Sequence, residues 1–348
     1  MTSSTNILPK GFYIEELLRQ YFLKLGYFVV RGVPFKYEGF DVTDIDLWLY
    51  SRTSPVSREI TIVDSKNKKT PQAIERIFWT RGLQIAVNAN NAIVATTDRR
   101  QEVKDFGKQL GVFVLDGAFL KKLSTVDSQD KMRITDEEFF RKINEHTLNK
   151  LDGDWKGRIQ HSKGLLVKSL SFDSCNQWLL HGSFFAAQAL LNGNHRETAL
   201  RCLYLINSFL AIAIDFILKE LSFFEPLERV KQITEGFMYG DRGSVGMKKI
   251  LDVATGLIEQ YANEGASTSR QVRNSVEKSL LDLNTDILGE FFSRNEVSRS
   301  LYHVAKEFES MAMSSQFTHI SNASNETKSM LFCLLDYWGI ERTSFLKF

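Results

Sequence analysis

The hydrophobic and polar positions of the first 66 residues follow two different periods. Apolar residues at positions 14, 17, 18, 21, 22 and 25 recur at the spacing of one helix face, and Gly26 follows them as a typical helix-ending residue. Three stretches bounded by turn residues then have the character of strands: 28–37, 45–51 and 58–66. The pattern predicts an amphipathic helix followed by an antiparallel three-stranded meander.

The next segment returns to helical spacing. Residues 72–90 and 100–111 are typical of helices, whereas 92–97 and 112–116 are typical of short strands. The order of elements predicted for residues 1–125 is therefore α-β-β-β-α-β-α-β.

Long helical periods replace the strand signals from about Thr135 onward. The stretch 124–131 before them is polar and lacks apolar periodicity, so a linker is predicted here, at 126–134. We therefore interpret the chain as an α/β domain at 1–125 and an all-α domain at 135–348.

Three features favour a cytoplasmic protein. The three cysteines lack the paired spacing of a zinc site or a disulfide framework, which fits a reducing compartment. The N-terminal residues lack a basic stretch followed by an uninterrupted apolar run, so we expect no signal peptide. The most apolar run, 203–218, is shorter than the roughly 20 residues of a membrane span and contains Asn207 and Asp215. We expect this run to be a buried core helix, with no membrane contact.

Charge is distributed unevenly along the chain. Residues 1–125 contain 18 Lys+Arg and 13 Asp+Glu, a net charge of +5, which leaves 26 against 29, or −3, for residues 126–348. The basic excess accompanies the strands and is compatible with a phosphate-bearing ligand.

Acidic and basic residues lie on strands, where they are uncommon. Side chains alternate along a strand, so Asp64 and Lys66 point to the same face. Asp46 opens the preceding strand, and antiparallel pairing is expected to bring its carboxylate within a few ångströms of Asp64. Two such carboxylates repel each other unless a cation lies between them, and oxygen ligands suit Mg²⁺ or Mn²⁺. Lys66 would then hold an attacking water or oppose the charge that develops on a phosphate.

The spacing of these residues resembles the PD-(D/E)XK nuclease superfamily, which has the restriction-endonuclease-like fold. Asp46 is followed after seventeen residues by Asp64-Ser65-Lys66, on strands that come after a helix bearing Glu15. Residues 91–123, which end in "LDGAFLKKL", are similar to the strand-helix-strand tail of Mrr-type members. The resemblance covers about residues 10–125 and implies an αβββαβ core.

The resemblance also implies roles for individual residues. Asp46 and Asp64 correspond to the two metal-binding acids and Lys66 to the catalytic lysine. Two features depart from the family pattern: the second acid is Asp where Glu is commoner, and glycines are missing before the first acid, which leaves Asp44 open as an alternative to Asp46. The resemblance further implies that Glu15 and Ser65 help to bind the metal and that Gln72 belongs to the active site.

Basic residues near the proposed metal site are interpreted as phosphate contacts. They are Lys68, Lys69, Arg76 and Arg81. Glu16, beside Glu15, is interpreted as part of the solvated face of the first helix.

The first hypothesis for the function is a Mg²⁺- or Mn²⁺-dependent endonuclease that hydrolyses phosphodiester bonds of DNA. The resemblance to Mrr-type members implies, by association, a role in defence against foreign DNA or in repair. The helical domain would control targeting, activation or assembly, as a homo-oligomer or with a protein partner. One alternative is a non-catalytic module that uses the same fold to bind nucleic acid or a partner. Another is RNA cleavage by the helical domain, because Arg299 and His303 resemble the Arg and His signature of HEPN-type ribonucleases, at a shorter spacing.

Overall fold

An N-terminal mixed sheet with flanking helices precedes a mostly helical C-terminal part, as the hydrophobic pattern predicts. The structure is a computed structural model that describes residues 10–66, 72–125, 132–146, 149–191 and 193–346. The helices and strands up to residue 168 are α1 (Lys10–Lys24), β1 (Phe28–Tyr37), β2 (Phe40–Arg52), β3 (Arg58–Lys66), α2 (Ala73–Ala86), β4 (Asn91–Thr96), α3 (Gln101–Gln109), β5 (Val112–Leu115), α4 (Gly117–Thr125), α5 (Asp136–His146) and α6 (Trp155–Lys168).

The five strands lie side by side in the order of the sequence. β1 pairs antiparallel with β2 and β2 with β3, which confirms the predicted meander. β3, β4 and β5 run parallel, and α2 and α3 provide the crossovers that parallel neighbours require. The predicted order of helices and strands is confirmed as far as β5, and α4 follows it.

The strand β2 begins five residues before the predicted 45–51 stretch. It continues its pairing with β1 down to a Tyr37–Phe40 pair. Glu38 and Gly39 form the two-residue turn between them, and both have positive φ values, 47° and 88°. A turn of this kind matches the right-handed twist of a hairpin, and the glycine adopts its φ without steric cost. The hydrophobic pattern does not predict this extension because residues 41 and 44 are polar.

The helix α1 covers one face of the sheet, and its apolar side chains form a hydrophobic core there with those of the strands. Its apolar stripe includes Leu18 and Phe22, and it packs against Leu47, Leu49 and Val63 of the central strands. All five of these side chains are buried, so this packing fixes the position of α1 on the sheet.

The described residues form two compact units. The first contains the chain up to Ser169 together with Glu309–Phe317, and the second contains Leu170–Phe308 and Thr318–Phe348. The division therefore falls after α6, later in the chain than the predicted linker.

Most of the predicted linker at 126–134 lies outside the described residues. Its last part is tied into the first unit, because Arg133 forms a β-bridge with Ser314 and the Ile134 N–H donates a hydrogen bond to Met313 O at 2.8 Å. The helix α6 packs against β1, where Gly164 approaches Pro34 O so closely that an added Cβ would lie 3.2 Å from it.

The second unit is helical throughout the residues that the structure describes. The helix α8 (Arg196–Leu221) is largely buried, including Asn207 and Asp215 at 0% exposure. Among the described residues α8 is also the one helix long and apolar enough to cross a membrane, and its burial confirms the predicted core helix. The helices of the second unit are α7 (Phe172–Leu191), α8 (Arg196–Leu221), α9 (Pro226–Tyr239), α10 (Gly243–Tyr261), α11 (Gly265–Leu281), α12 (Thr285–Phe292), α13 (Asn295–Met313), α14 (Asn325–Tyr337) and α15 (Thr343–Leu346). The last residues of α13 belong to the first unit.

Candidate functional site

Three charged side chains meet where β2 and β3 lie side by side. The ammonium nitrogen of Lys66, at the end of β3, lies 3.9 Å from Asp46 Oδ2 and 3.9 Å from Asp64 Oδ1. Both distances exceed hydrogen-bond length, so Lys66 is close to both charges without donating to either. The register accounts for this arrangement, because Leu47 pairs with Val63 and the two acids come next to that pair.

Asp46 is held by the main chain of the neighbouring strand. The Ser65 N–H donates a hydrogen bond to Asp46 Oδ2 at 2.6 Å. Burial raises the pKa of Asp46 above its usual value, and the charge of Asp64 raises it further, against the opposing effect of Lys66. Asp44, two residues earlier on the same strand, is exposed. Of the two alternatives left open by the sequence, Asp46 is therefore the one that lies in this group.

Glu15 approaches the same group from α1. Its Oε2 lies 3.1 Å from Nε of Arg31, on β1, and the Glu15 side chain is only 14% exposed. Burial and the charge of Asp46 raise the pKa of Glu15 to about 7, although Arg31 and Lys66 act in the opposite direction. Glu15 is therefore a buried carboxyl group that changes charge near neutral pH.

Arg76 on α2 binds Asp64 with two hydrogen bonds. Its Nε donates to Asp64 Oδ2 at 2.8 Å, and a terminal nitrogen donates to Oδ1. The sequence predicts Arg76 as a phosphate contact and carries no signal for this ion pair, whose partners lie 12 residues apart on different elements. We refer to Glu15, Asp46, Asp64, Lys66 and Arg76 as the acid cluster.

The other predicted site residues lie in different surroundings. Gln72 is exposed at the start of α2, where its side chain does not cap the helix and its carbonyl accepts a hydrogen bond from the Arg76 N–H. Arg81 donates a hydrogen bond to Gln84 Oε1 at 2.7 Å, on its own helix. Lys68 and Lys69 lie outside the described residues. The structure thus brings together Glu15, Asp46, Asp64, Ser65, Lys66 and Arg76 of the predicted set.

A second group of charges lies beside the acid cluster and corrects the interpretation of Glu16. Glu16 is buried, at 8% exposure, and its Oε2 accepts a hydrogen bond from Arg31 at 3.1 Å, so it is not on a solvated face. Arg19 donates to the other oxygen, Oε1, from Nε at 3.0 Å. The prediction was wrong because distant residues from β1 cover this face of α1. We call this group the ion network: Glu16, Arg19, Arg31, Asp136, Glu137 and Lys163.

The two residues proposed for RNA cleavage lie on one helix of the second unit. Arg299 and His303 are both exposed and stand four residues apart on α13. The arrangement places them on neighbouring turns of the same surface.

The donor chemistry of the acid cluster fits a hard dication. Two carboxylates lie 3.9 Å from the Lys66 ammonium, and burial, followed by the charge of a neighbouring carboxylate, raises the pKa values of Glu15 and Asp46. With the side chains as they stand, no three His, Cys, Asp or Glu residues within the described ranges form a group that could hold a metal ion. Asp64 is engaged by Arg76 and Glu15 by Arg31. A metal would therefore require at least the Arg76 side chain to leave Asp64.

Comparison of the chain with models of known protein families, with curated proteins and with solved structures gave no match.

Proposed function

We propose that the protein is a Mg²⁺- or Mn²⁺-dependent endonuclease that hydrolyses DNA, with the acid cluster as its active site. The proposal includes a restriction-endonuclease-like αβββαβ core for residues 10–125. The element order from α1 to β4 and the mixed sheet support this core.

The observation that carries the proposal is the position of Lys66. Its ammonium nitrogen lies 3.9 Å from a carboxylate oxygen of Asp46 and 3.9 Å from one of Asp64. Lys66 is 36% exposed while the two carboxylates are largely buried, so its charge can reach a phosphate that arrives from solvent. A lysine placed between two acids at a strand end is the arrangement on which the resemblance depends.

Each residue has a distinct part in the proposed reaction. When bound, Mg²⁺ or Mn²⁺ would polarise the phosphate and lower the pKa of a bound water. Asp46, Asp64, Glu15 and the main chain of Ser65 would hold the ion. The Lys66 ammonium opposes the negative charge that develops on the phosphate oxygens. A carboxylate oxygen of Glu15 that does not bind the ion would accept a proton from the attacking water.

The test is incubation of the full-length protein with supercoiled plasmid, linear duplex and RNA, in Mn²⁺, Mg²⁺ or EDTA. We expect cleavage of DNA with either metal and none in EDTA. D46N should abolish cleavage, whereas D44N, an exposed aspartate on the same strand, should cleave like the wild type. Equal cleavage by D46N and the wild type would show that the active site lies elsewhere. Cleavage of RNA that depends on Arg299 and His303 would move the activity to the helical unit.

The role of Lys66 is tested by K66M. We expect its cleavage rate to fall on the order of a hundredfold or more, because a preorganised charge on the transition state is lost. DNA affinity in EDTA should change little. A loss confined to DNA affinity would make Lys66 a phosphate contact instead.

A non-catalytic nucleic-acid-binding module is the second candidate, and the Arg76–Asp64 ion pair favours it. An arginine that occupies both oxygens of Asp64 is a stable arrangement without any metal. This candidate predicts DNA binding that weakens steeply with salt, with no metal requirement and no cleavage. Substitution of Asp64 by Asn would then leave DNA affinity unchanged.

A further inference from the structure

Arg76 occupies the carboxylate that the proposed metal needs. It donates to Asp64 Oδ2 at 2.8 Å and to Oδ1 from a second nitrogen. Asp64 is 9% exposed, so water contributes little to its solvation and the guanidinium is its main partner. Metal and guanidinium therefore compete for the same two oxygens.

Arg76 is also accessible to a ligand from solvent. Its side chain is 26% exposed, about three times the exposed fraction of Asp64. The guanidinium lies 5.8 Å from the ring centroid of Trp79, one turn further along α2, and Trp79 is 43% exposed. The guanidinium thus lies between a buried carboxylate and an exposed aromatic surface.

A phosphate is the ligand best able to take Arg76 away from Asp64. The planar fork of arginine binds a phosphate with two parallel hydrogen bonds in the same way as it binds a carboxylate. A nucleic-acid backbone supplies such phosphates at high local concentration. Exchange of Asp64 for a phosphate keeps both hydrogen bonds of Arg76 and releases both oxygens of Asp64.

We propose that Arg76 is a positioning residue that couples DNA binding to metal binding. In the free protein it binds Asp64 and weakens the site for a divalent cation; when a backbone phosphate takes the guanidinium, Asp64 becomes available to the cation. This inference rests on the proposed nuclease function. By linkage, the metal must tighten DNA binding by the same factor that DNA tightens metal binding.

The test is a titration of the full-length protein with Mn²⁺ in the absence of DNA, followed by calorimetry. We expect R76M to bind Mn²⁺ about tenfold more tightly than the wild type, within the usual range of coupling between two sites. The matched control is R100M, which removes an exposed arginine that also donates two nitrogens to a buried aspartate, Asp98. R100M should bind Mn²⁺ like the wild type.

The titration is then repeated with a short phosphorothioate duplex present. DNA should tighten Mn²⁺ binding by the wild type and leave that by R76M nearly unchanged, because the competing guanidinium is already absent. R76K, which keeps the charge but not the two-pronged hydrogen bonding, should fall between the two and serves if R76M does not fold.

The outcomes separate this inference from the proposed function. Equal Mn²⁺ affinity of the wild type, R76M and R76K would overturn the coupling role of Arg76 and leave the metal site standing. Absence of Mn²⁺ binding by all variants, with and without DNA, would overturn the metal site and the coupling role together.

Discussion

The acid cluster and the ion network lie next to each other in the first unit, yet their charges are arranged on different principles. The ion network has three acids and three bases, each within ion-pair distance of a partner. The acid cluster has three acids and two bases. Glu15 and Glu16 are neighbours on α1 but belong to different groups, and Arg31 contacts both of them.

The pKa values show the consequence of this difference. In the ion network, burial alone would raise the pKa of Asp136, but the charges of Lys163, Arg19 and Arg31 hold it at about 2. In the acid cluster, burial and the charge of Asp46 raise the pKa of Glu15 to about 7. Asp136 is therefore held in its charged form, whereas the surroundings of Glu15 and Asp46 disfavour theirs. A protein that keeps such an unbalanced group is expected to use it, which agrees with the tendency of functional sites to carry perturbed pKa values.

The two groups also contribute to stability with opposite dependence on pH. Asp136 has a lower pKa folded than its ordinary 3.8, so its contribution is present above that pH and is lost as the pH falls toward 2. Glu15 has a higher pKa folded than its ordinary 4.5, so the folded state binds the proton more tightly. Its contribution therefore falls as the pH rises from 4.5 to about 7.

The largest effect on stability is expected when a base is removed from the ion network. Lys163 donates to Arg31 O at 2.8 Å and pairs with Asp136. K163M removes the hydrogen-bonded partner of the buried Asp136 carboxylate and the donor to Arg31 O, so we expect the free energy of unfolding to fall by about 4 kcal/mol. Urea unfolding at neutral pH measures this loss of stability. The control is K168M, which replaces an exposed lysine on the same helix. A fall below about 1 kcal/mol would show that the network is not structural.

The second effect is a pH dependence that arises from Glu15. The wild type should lose stability relative to E15Q as the pH rises from 4.5 to about 7, by on the order of 3 kcal/mol if the whole shift is realised. Unfolding by urea in EDTA at pH 4.5 and pH 8 measures the difference. The control is E75Q, an exposed glutamate on α2, which should track the wild type at both values. A constant difference between E15Q and the wild type would contradict the raised pKa.

The smallest effect on stability is expected at Asp46. D46N removes a carboxyl group whose pKa is raised by burial and by the charge of Asp64. The new amide oxygen can still accept a hydrogen bond from the Ser65 N–H. We expect the free energy of unfolding in EDTA at pH 8 to rise by about 1 kcal/mol, because a residue that is kept for activity often lowers the stability of the fold. D44N should change it by less than about 0.5 kcal/mol. A large destabilisation by D46N would place Asp46 with the structural charges.

The sequence predicted the local features of this comparison better than the pairing of its charges. The turn residues that flank β1 and β3 predict their bounds, and the alternation of side chains along a strand places Asp64 and Lys66 on one face. The ion pairs depend on contacts between distant segments, such as Arg31 with Glu137, which are 106 residues apart. Neither propensity nor periodicity carries that information.

Glu16 illustrates the same limit within one helix. Adjacent residues of a helix point about 100° apart, so Glu15 and Glu16 were expected on different faces, but only the packing of β1 and α5 makes the second face buried. The division after α6 has the same origin, because Lys163 on α6 binds Asp136 on α5 and the main chain of β1.

The central proposal is that the acid cluster binds a divalent cation, whereas the ion network is held together by its own bases. The direct measurement is the free energy of unfolding of the wild type, D46N and D44N as a function of Mn²⁺ concentration. A ligand that binds only the folded state stabilises it by about 2.7 kcal/mol at a hundred times its Kd. We predict such stabilisation for the wild type and D44N and little or none for D46N. Equal stabilisation of all three proteins, or none of the wild type, would contradict the account.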